Sequence, residues 1–241
     1  MTYYVEETTE ETVKKIRGFR LKYSSHKEVI EKLYLNALIN SFERIKCVQG
    51  INELSENDIR DKFQYDLEHS NPIITEYISN NTITFNSEAQ IIEEKYKFRT
   101  DIKLFCACFM KHFIIECKCL ESASQVYIKG NYNKSKDKYE VNRIERFITL
   151  TYAKGERYAG MLGFIVKGNP EKIVENLKSK VMAFHPSDNI KELIDKKIAD
   201  WELSFQSEHI RTDKTEIHLY HLFFDFIQTS VSVSSKKRSK K

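Results

Sequence analysis

Asp101 is followed fifteen residues later by Glu116, and Lys118 stands two beyond it in the segment Phe113-Ile114-Ile115-Glu116-Cys117-Lys118. Side chains two apart on a β-strand share a face, so Glu116 and Lys118 point to one spot. The apolar run before them reads as a buried strand, and buried Glu and Lys are rare unless paired or bound to a metal. Asp101 on a neighbouring strand completes two hard carboxylates beside an ammonium group. Carboxylate oxygens suit Mg2+ or Mn2+. Such an ion next to a lysine is equipment for hydrolysing a phosphodiester.

Other elements must bring these groups together. Asp101–Cys108 and Lys111–Leu120 read as antiparallel strands, after a first strand that starts at Thr82–Phe85 and continues near Gln90–Tyr96. A loop centred near residue 110 puts Asp101 opposite about position 119, so the strands must splay or bend for Asp101 to meet Glu116. Ser55-Glu56-Asn57-Asp58 has a capping residue and first-turn acids, and opens a helix with Ile59, Phe63 and Leu67 on one face. A further helix is expected over Tyr139–Tyr152, then a buried strand over Tyr158–Val166. Asn169-Pro170 begins another helix, carried by Ile173, Val174, Leu177 and Val181. Residues 8–48 read as two helices. The second bears the stripe Ile30, Leu33, Tyr34, Ala37, Leu38, Phe42 and Ile45, which is either core packing or a dimer interface. Residues 186–200 read as helical, and Trp201–His209 and Glu216–Phe226 as strands.

The Asp101, Glu116 and Lys118 set, with its strand-like flanks, resembles the signature of the PD-(D/E)XK nuclease superfamily, with Thr100 where the family usually has Pro. The resemblance covers roughly residues 53–182, and the order helix, three strands, helix, strand, helix is similar to the superfamily core. It implies an α/β restriction-endonuclease-like fold: a mixed central sheet flanked by helices, here over 51–227, with an N-terminal two-helix extension over 1–50. It implies a Mg2+- or Mn2+-dependent endonuclease acting on DNA. Asp101, Glu116 and the Cys117 carbonyl would hold the metal, and Lys118 would orient or help deprotonate the attacking water and stabilise charge growing on the phosphate. Glu56 would tune the site or hold a second ion, with Asp58 and Asp61 as competitors. The resemblance also suggests bacterial or phage defence, a helicase or sensor partner, and a homodimer if both strands are cut. A nuclease-fold binding or assembly subunit is the alternative. An unrelated α/β protein with an ordinary Glu116–Lys118 strand salt bridge is a third reading.

Composition sets the outer limits. The 241 residues are 41% hydrophobic with seven Gly and three Pro, which supports a real core and not a loop-rich chain. No run approaches ~18 consecutive apolar residues, and the N-terminus lacks an apolar signal core, so no membrane span and a cytoplasmic setting are expected. Net charge is +4, but the tail Ser235–Lys241 alone carries five positive charges. That tail, from residue 228 on, is expected to be disordered: a nucleic-acid arm or a solubilising end. Residues 126–157 hold eight Lys or Arg against four Asp or Glu, a cationic wall or a solvated face. Lys129, Arg143 and Arg146 are its candidates for phosphate contacts. The Cys106/Cys108 and Cys117/Cys119 pairs could bind zinc, but parity puts Cys117 and Cys119 opposite Glu116, as buried core residues. His209 and Arg211 could touch a phosphate; His218 and His221 read as structural or surface residues.

Overall fold

The structure, a computed structural model, describes residues 10–87, 90–93, 96–99, 101–123, 127–129, 131–133, 138–140, 143–184, 190–194 and 197–227. The basic tail lies outside them. Helix α1 (Glu10–Lys22) precedes a second helix, α2 (His26–Val29), that runs through one wide π-turn (Ile30–Tyr34) into α3 (Leu35–Ile45). Ser25 starts it by accepting a hydrogen bond from the Glu28 N–H at 3.2 Å. The whole stripe from Ile30 to Ile45 named above is buried. Ser55 and Asp58 form a reciprocal capping box that opens α4 (Glu56–His69), and a short α5 (Thr75–Ser79) follows.

Strands and the remaining helices come next. β1 (Ile83–Ser87) leads to a hairpin of β2 (Gln90–Glu93) and β3 (Tyr96–Arg99), then β4 (Ile102–Cys106) and β5 (Lys111–Leu120). A second hairpin, β6 (Asn131–Asn133) and β7 (Lys138–Glu140), precedes α6 (Ile144–Ile148) and β8 (Tyr158–Ile165). Then come α7 (Pro170–Met182), β9 (Ile190–Ile194), β10 (Ser204–Ile210) and β11 (Glu216–Asp225). Seven strands form one sheet in the order β1-β4-β5-β8-β11-β10-β9. The central β5, β8 and β11 are parallel and both wings are antiparallel. The protein is thus an α/β fold on a mixed sheet.

Helices cover both faces. On one, Tyr34, Phe42 and Phe63 pack with Phe113, Phe164 and Phe224; the Phe42 and Phe224 rings stack at 4.9 Å and those of Phe63 and Phe164 at 5.3 Å. The helices of residues 26–45 therefore share one core with the sheet. On the other, Ile144 and Phe147 of α6 and Ile173 and Leu177 of α7 join Ile114, Met161, Leu219 and Phe223. Buried on both faces, β8 reads as a continuous apolar run. Its Gly163 lies between Lys118 and Phe223 in register, and a Cβ there would press on the Phe223 ring and meet Leu120 Cδ1 at 2.8 Å. No helix among the described residues is long and apolar enough to cross a membrane.

Two expected helices are corrected. The helix expected over 139–152 shrinks to α6, because Lys138–Glu140 belongs to the β6–β7 hairpin and Arg143 has φ 54°, which no helix accepts. The helix expected over 186–200 is replaced, where described, by strand β9 at the sheet edge and an isolated bridge from Ile198 to Trp201. Ile190, Leu193 and Ile194 have helical spacing, but the open edge of β10 offers that segment a ladder of backbone hydrogen bonds. The strand expected to continue to Tyr96 divides instead into the β2–β3 hairpin.

Candidate active site

The site forms where β4 and β5 part. β4 starts with Ile102 opposite Ile115, and continuing that register by one sets Asp101 opposite Glu116, not near position 119. The reason is the turn. Ala107–Met110 closes the hairpin, with Met110 at φ 53°, so the strand expected to reach Cys108 stops at Cys106. Past Ile115, β5 loses its β4 partner and pairs only with β8 among the described residues. The freed backbone groups still need partners. Side chains supply them: the Cys117 N–H donates to Asp101 Oδ2 at 2.7 Å, and the Cys119 N–H to Glu56 Oε2 at 2.9 Å. Two carboxylates thus stand in for the missing strand. In a strand the N–H and C=O of one residue share an edge, so the Cys117 carbonyl faces the same gap.

Around this gap the charges are closely matched. Glu116 is 1% exposed, and its Oε1 accepts from Arg143 Nη1 at 2.5 Å and Arg146 Nη1 at 3.1 Å. Its Oε2 is buried with no hydrogen-bond partner. Burial, then the charge of Asp101, pushes the Glu116 carboxyl up to about 7 against the pull of both arginines. Asp101 is also raised, by burial first and by Glu56, while the Cys117 N–H and Arg60 oppose the shift. Lys118 Nζ sits 2.9 Å from Glu56 Oε2, so its partner is on α4 and not the Glu116 of its own strand. Arg60 Nη1 approaches Asp101 Oδ1 at 3.4 Å, and its Nη2 meets Asp61 Oδ1 at 3.0 Å. Arg146 Nη1 also donates to the Tyr152 hydroxyl at 2.7 Å, with the guanidinium 5.0 Å from that ring's centre.

The structure brings together Glu56, Asp101, Glu116, Lys118, Arg143 and Arg146. Asp58 is engaged in the helix cap and Asp61 with Arg60, which leaves Glu56 as the acid of α4 that reaches β5. Arg143 and Arg146, expected at phosphates, turn to Glu116 instead. Lys129 is exposed, beside Ile128, whose carbonyl accepts from the Glu145 N–H of α6 at 3.1 Å. The suggested phosphate contacts of His209 and Arg211 are corrected: both are buried, and Arg211 donates to the Phe147 and Ala153 carbonyls. Sequence reasoning missed Arg60 and Tyr152. Arg60 had a signal, because it lies one helical turn after Glu56; Tyr152 had none.

Histidines form a second buried polar cluster, within the β10–β11 ladder. Tyr127 Oη pairs with His221 Nδ1 at 3.1 Å, and Ser207 Oγ lies 2.8 Å from both His221 Nε2 and His209 Nε2. On the opposite face of the same two strands, His218 is held between Gln206 Oε1 at 2.6 Å and Glu208 Oε1 at 3.0 Å. His209 Nδ1 is buried without a partner.

Does the first cluster suit a divalent ion? No three His, Cys, Asp or Glu among the described residues are grouped to enclose one, which also counts against a zinc site at the cysteines. Mg2+ needs less, because it binds through one or two carboxylates and keeps several waters. Asp101, opposite Glu116 in the continued register and raising its proton affinity, and Glu116, with Oε2 unpartnered, fit that demand. Comparison with family models, with curated proteins and with solved structures finds no match to this chain.

Proposed function

We propose that the chain is a metal-dependent nuclease of the restriction-endonuclease-like superfamily, hydrolysing phosphodiester bonds in DNA. One observation carries the reading: Asp101 lies opposite Glu116 and binds the Cys117 N–H at 2.7 Å, at the point where their strands diverge. An aspartate, a glutamate and, two residues on, a lysine then converge on one gap in the sheet. Asp101, Glu116 and the Cys117 carbonyl would hold Mg2+ or Mn2+. When bound, the ion supplies positive charge at the phosphate and lowers the pKa of a water. Lys118 Nζ, held by Glu56, would orient the attacking water and balance charge growing on the phosphate oxygens. Supercoiled plasmid incubated with Mg2+, Mn2+ or EDTA tests this. Nicking or linearisation should need the metal and disappear in Glu116→Gln; cleavage that persists in folded Glu116→Gln refutes the site.

A second reading has its own support. Arg60, Arg143, Arg146 and Lys118 already offset the three carboxylates, as a non-catalytic nuclease-fold binding subunit would require. Metal-independent DNA binding without any cleavage favours that reading.

A further inference from the structure

We propose that Arg143 and Arg146 are positioning residues of the cation site, which hold Oε1 of Glu116 so that this glutamate offers a cation one oxygen, Oε2. The inference rests on the nuclease reading and extends it to the choice of metal. Three observations converge. Both guanidiniums take the same carboxylate oxygen, at 2.5 and 3.1 Å, although the other oxygen is buried and unpartnered. Arg146 is fixed in its turn by the Tyr152 hydroxyl at 2.7 Å and by the Tyr152 ring. Arg143 is held at φ 54°, ψ −125°, a backbone conformation that side chains disfavour and that persists only where surroundings enforce it. The two side chains are only 14% and 20% exposed, so they are set into the site and not spread over a substrate-facing surface.

The arrangement has a chemical consequence. Mg2+ demands a tight octahedron, which a one-oxygen carboxylate serves well. Ca2+ accepts six to eight ligands and takes carboxylates through both oxygens. Blocking Oε1 therefore favours the smaller ion. Partners that hydrogen-bond a metal-ligating carboxylate are worth about 10–100-fold in metal affinity.

The test uses the metal alone, without nucleic acid. Mn2+, Mg2+ and Ca2+ are titrated calorimetrically into wild type, Arg143→Gln, Arg146→Gln, Arg146→Lys and Glu116→Gln, with thermal unfolding as the check on folding. Both glutamine variants should lose about 10–100-fold in Mn2+ affinity and less in Ca2+ affinity, so the preference for Mn2+ over Ca2+ falls. Arg146→Lys should recover part of it. Should a glutamine variant fail to fold, Tyr152→Phe removes only the hydroxyl that anchors Arg146, and should shift the preference the same way by less. Unchanged affinity and preference in the arginine variants, with binding lost in Glu116→Gln, overturns the positioning role and leaves the site reading standing. Tighter Mn2+ binding after loss of an arginine also overturns it, because the arginines would then compete with the ion. A wild type that binds no cation removes the site and this inference together.

Discussion

The carboxylate–arginine cluster and the histidine cluster are both buried, polar and hydrogen-bonded, yet they are built on opposite terms. Tyr127, His221, Ser207 and His209 sit beneath an unbroken β10–β11 ladder and hold neutral groups together. Asp101, Glu116 and Glu56 sit where a ladder stops, and they carry charge into the gap. Both clusters keep buried atoms without a hydrogen-bond partner, His209 Nδ1 in one, and Glu116 Oε2 and Arg143 Nε in the other. On a neutral ring the omission costs stability; on a carboxylate it would leave a place for the proposed cation. Buried polarity alone therefore does not mark a site. What sets the first cluster apart is a break in the backbone pairing, filled by charged side chains.

The comparison breaks most visibly in activity. Asp101→Ala, Glu116→Gln and Lys118→Ala should each cut plasmid cleavage by at least about a thousandfold, since metal activation contributes several kcal/mol to the barrier. Substitutions in the histidine cluster should leave cleavage by the folded fraction unchanged. Equal losses from both clusters would end the distinction.

Acid and base separate the clusters next, with opposite sign. Burial holds His209 down at about 4 and His221 well below the usual imidazole value. The unfolded chain takes those protons first, so their contribution is intact above about pH 6.5 and lost as pH falls, by about 3 kcal/mol for His209 alone. Glu116, raised to about 7, takes its proton first in the folded state. Its contribution is complete below the usual carboxylate value near 4.5 and fades as pH rises through 7, again by about 3 kcal/mol. The two windows overlap, so the opposing slopes largely offset each other in wild type between about pH 4.5 and 6.5, and urea unfolding of Glu116→Gln should show a steeper loss of stability on acidification than wild type. A Glu116→Gln variant whose pH dependence matches wild type would move the opposing contribution away from Glu116.

Gly163 lies between the two regions, beside Lys118 on one side and Phe223 on the other. Gly163→Ala should cost about 1–3 kcal/mol by overpacking, and a chemical denaturation midpoint unchanged from wild type would mean that the strands yield there. The smallest effect belongs to Tyr127→Phe, which deletes one hydroxyl from the histidine chain. About 1 kcal/mol of stability should go, with plasmid cleavage unaltered; a drop in cleavage would show that the clusters communicate.

Legibility in the sequence followed how local each signal is. The α3 stripe, the Ser55 cap, the Asn169-Pro170 start and the apolar β8 run are written in adjacent residues, and the structure has all four. Glu116 and Lys118 share a face by parity alone, and Glu56 followed from its place in the first turn of α4. What failed was set from a distance. The register of Asp101 depends on a turn whose length its apolar residues disguise. Strand β9 has helical spacing and owes its form to the neighbouring β10. Arg143 and Arg146 looked like surface charge because nothing local says that a short α6 turns them inward. Tyr152 reaches the site through Arg146.

The hydrogen bonds that close the gap beside β5 join residues far apart in the chain: Glu56 to Cys119 across 63 positions, Arg60 to Asp101 across 41, Arg146 to Glu116 across 30. Loop-closure entropy delays such contacts until the surrounding topology is in place. A nascent or partly folded chain therefore has strands and helices before it has this cluster of charges, and the proposed hydrolytic activity would arrive only with the completed sheet.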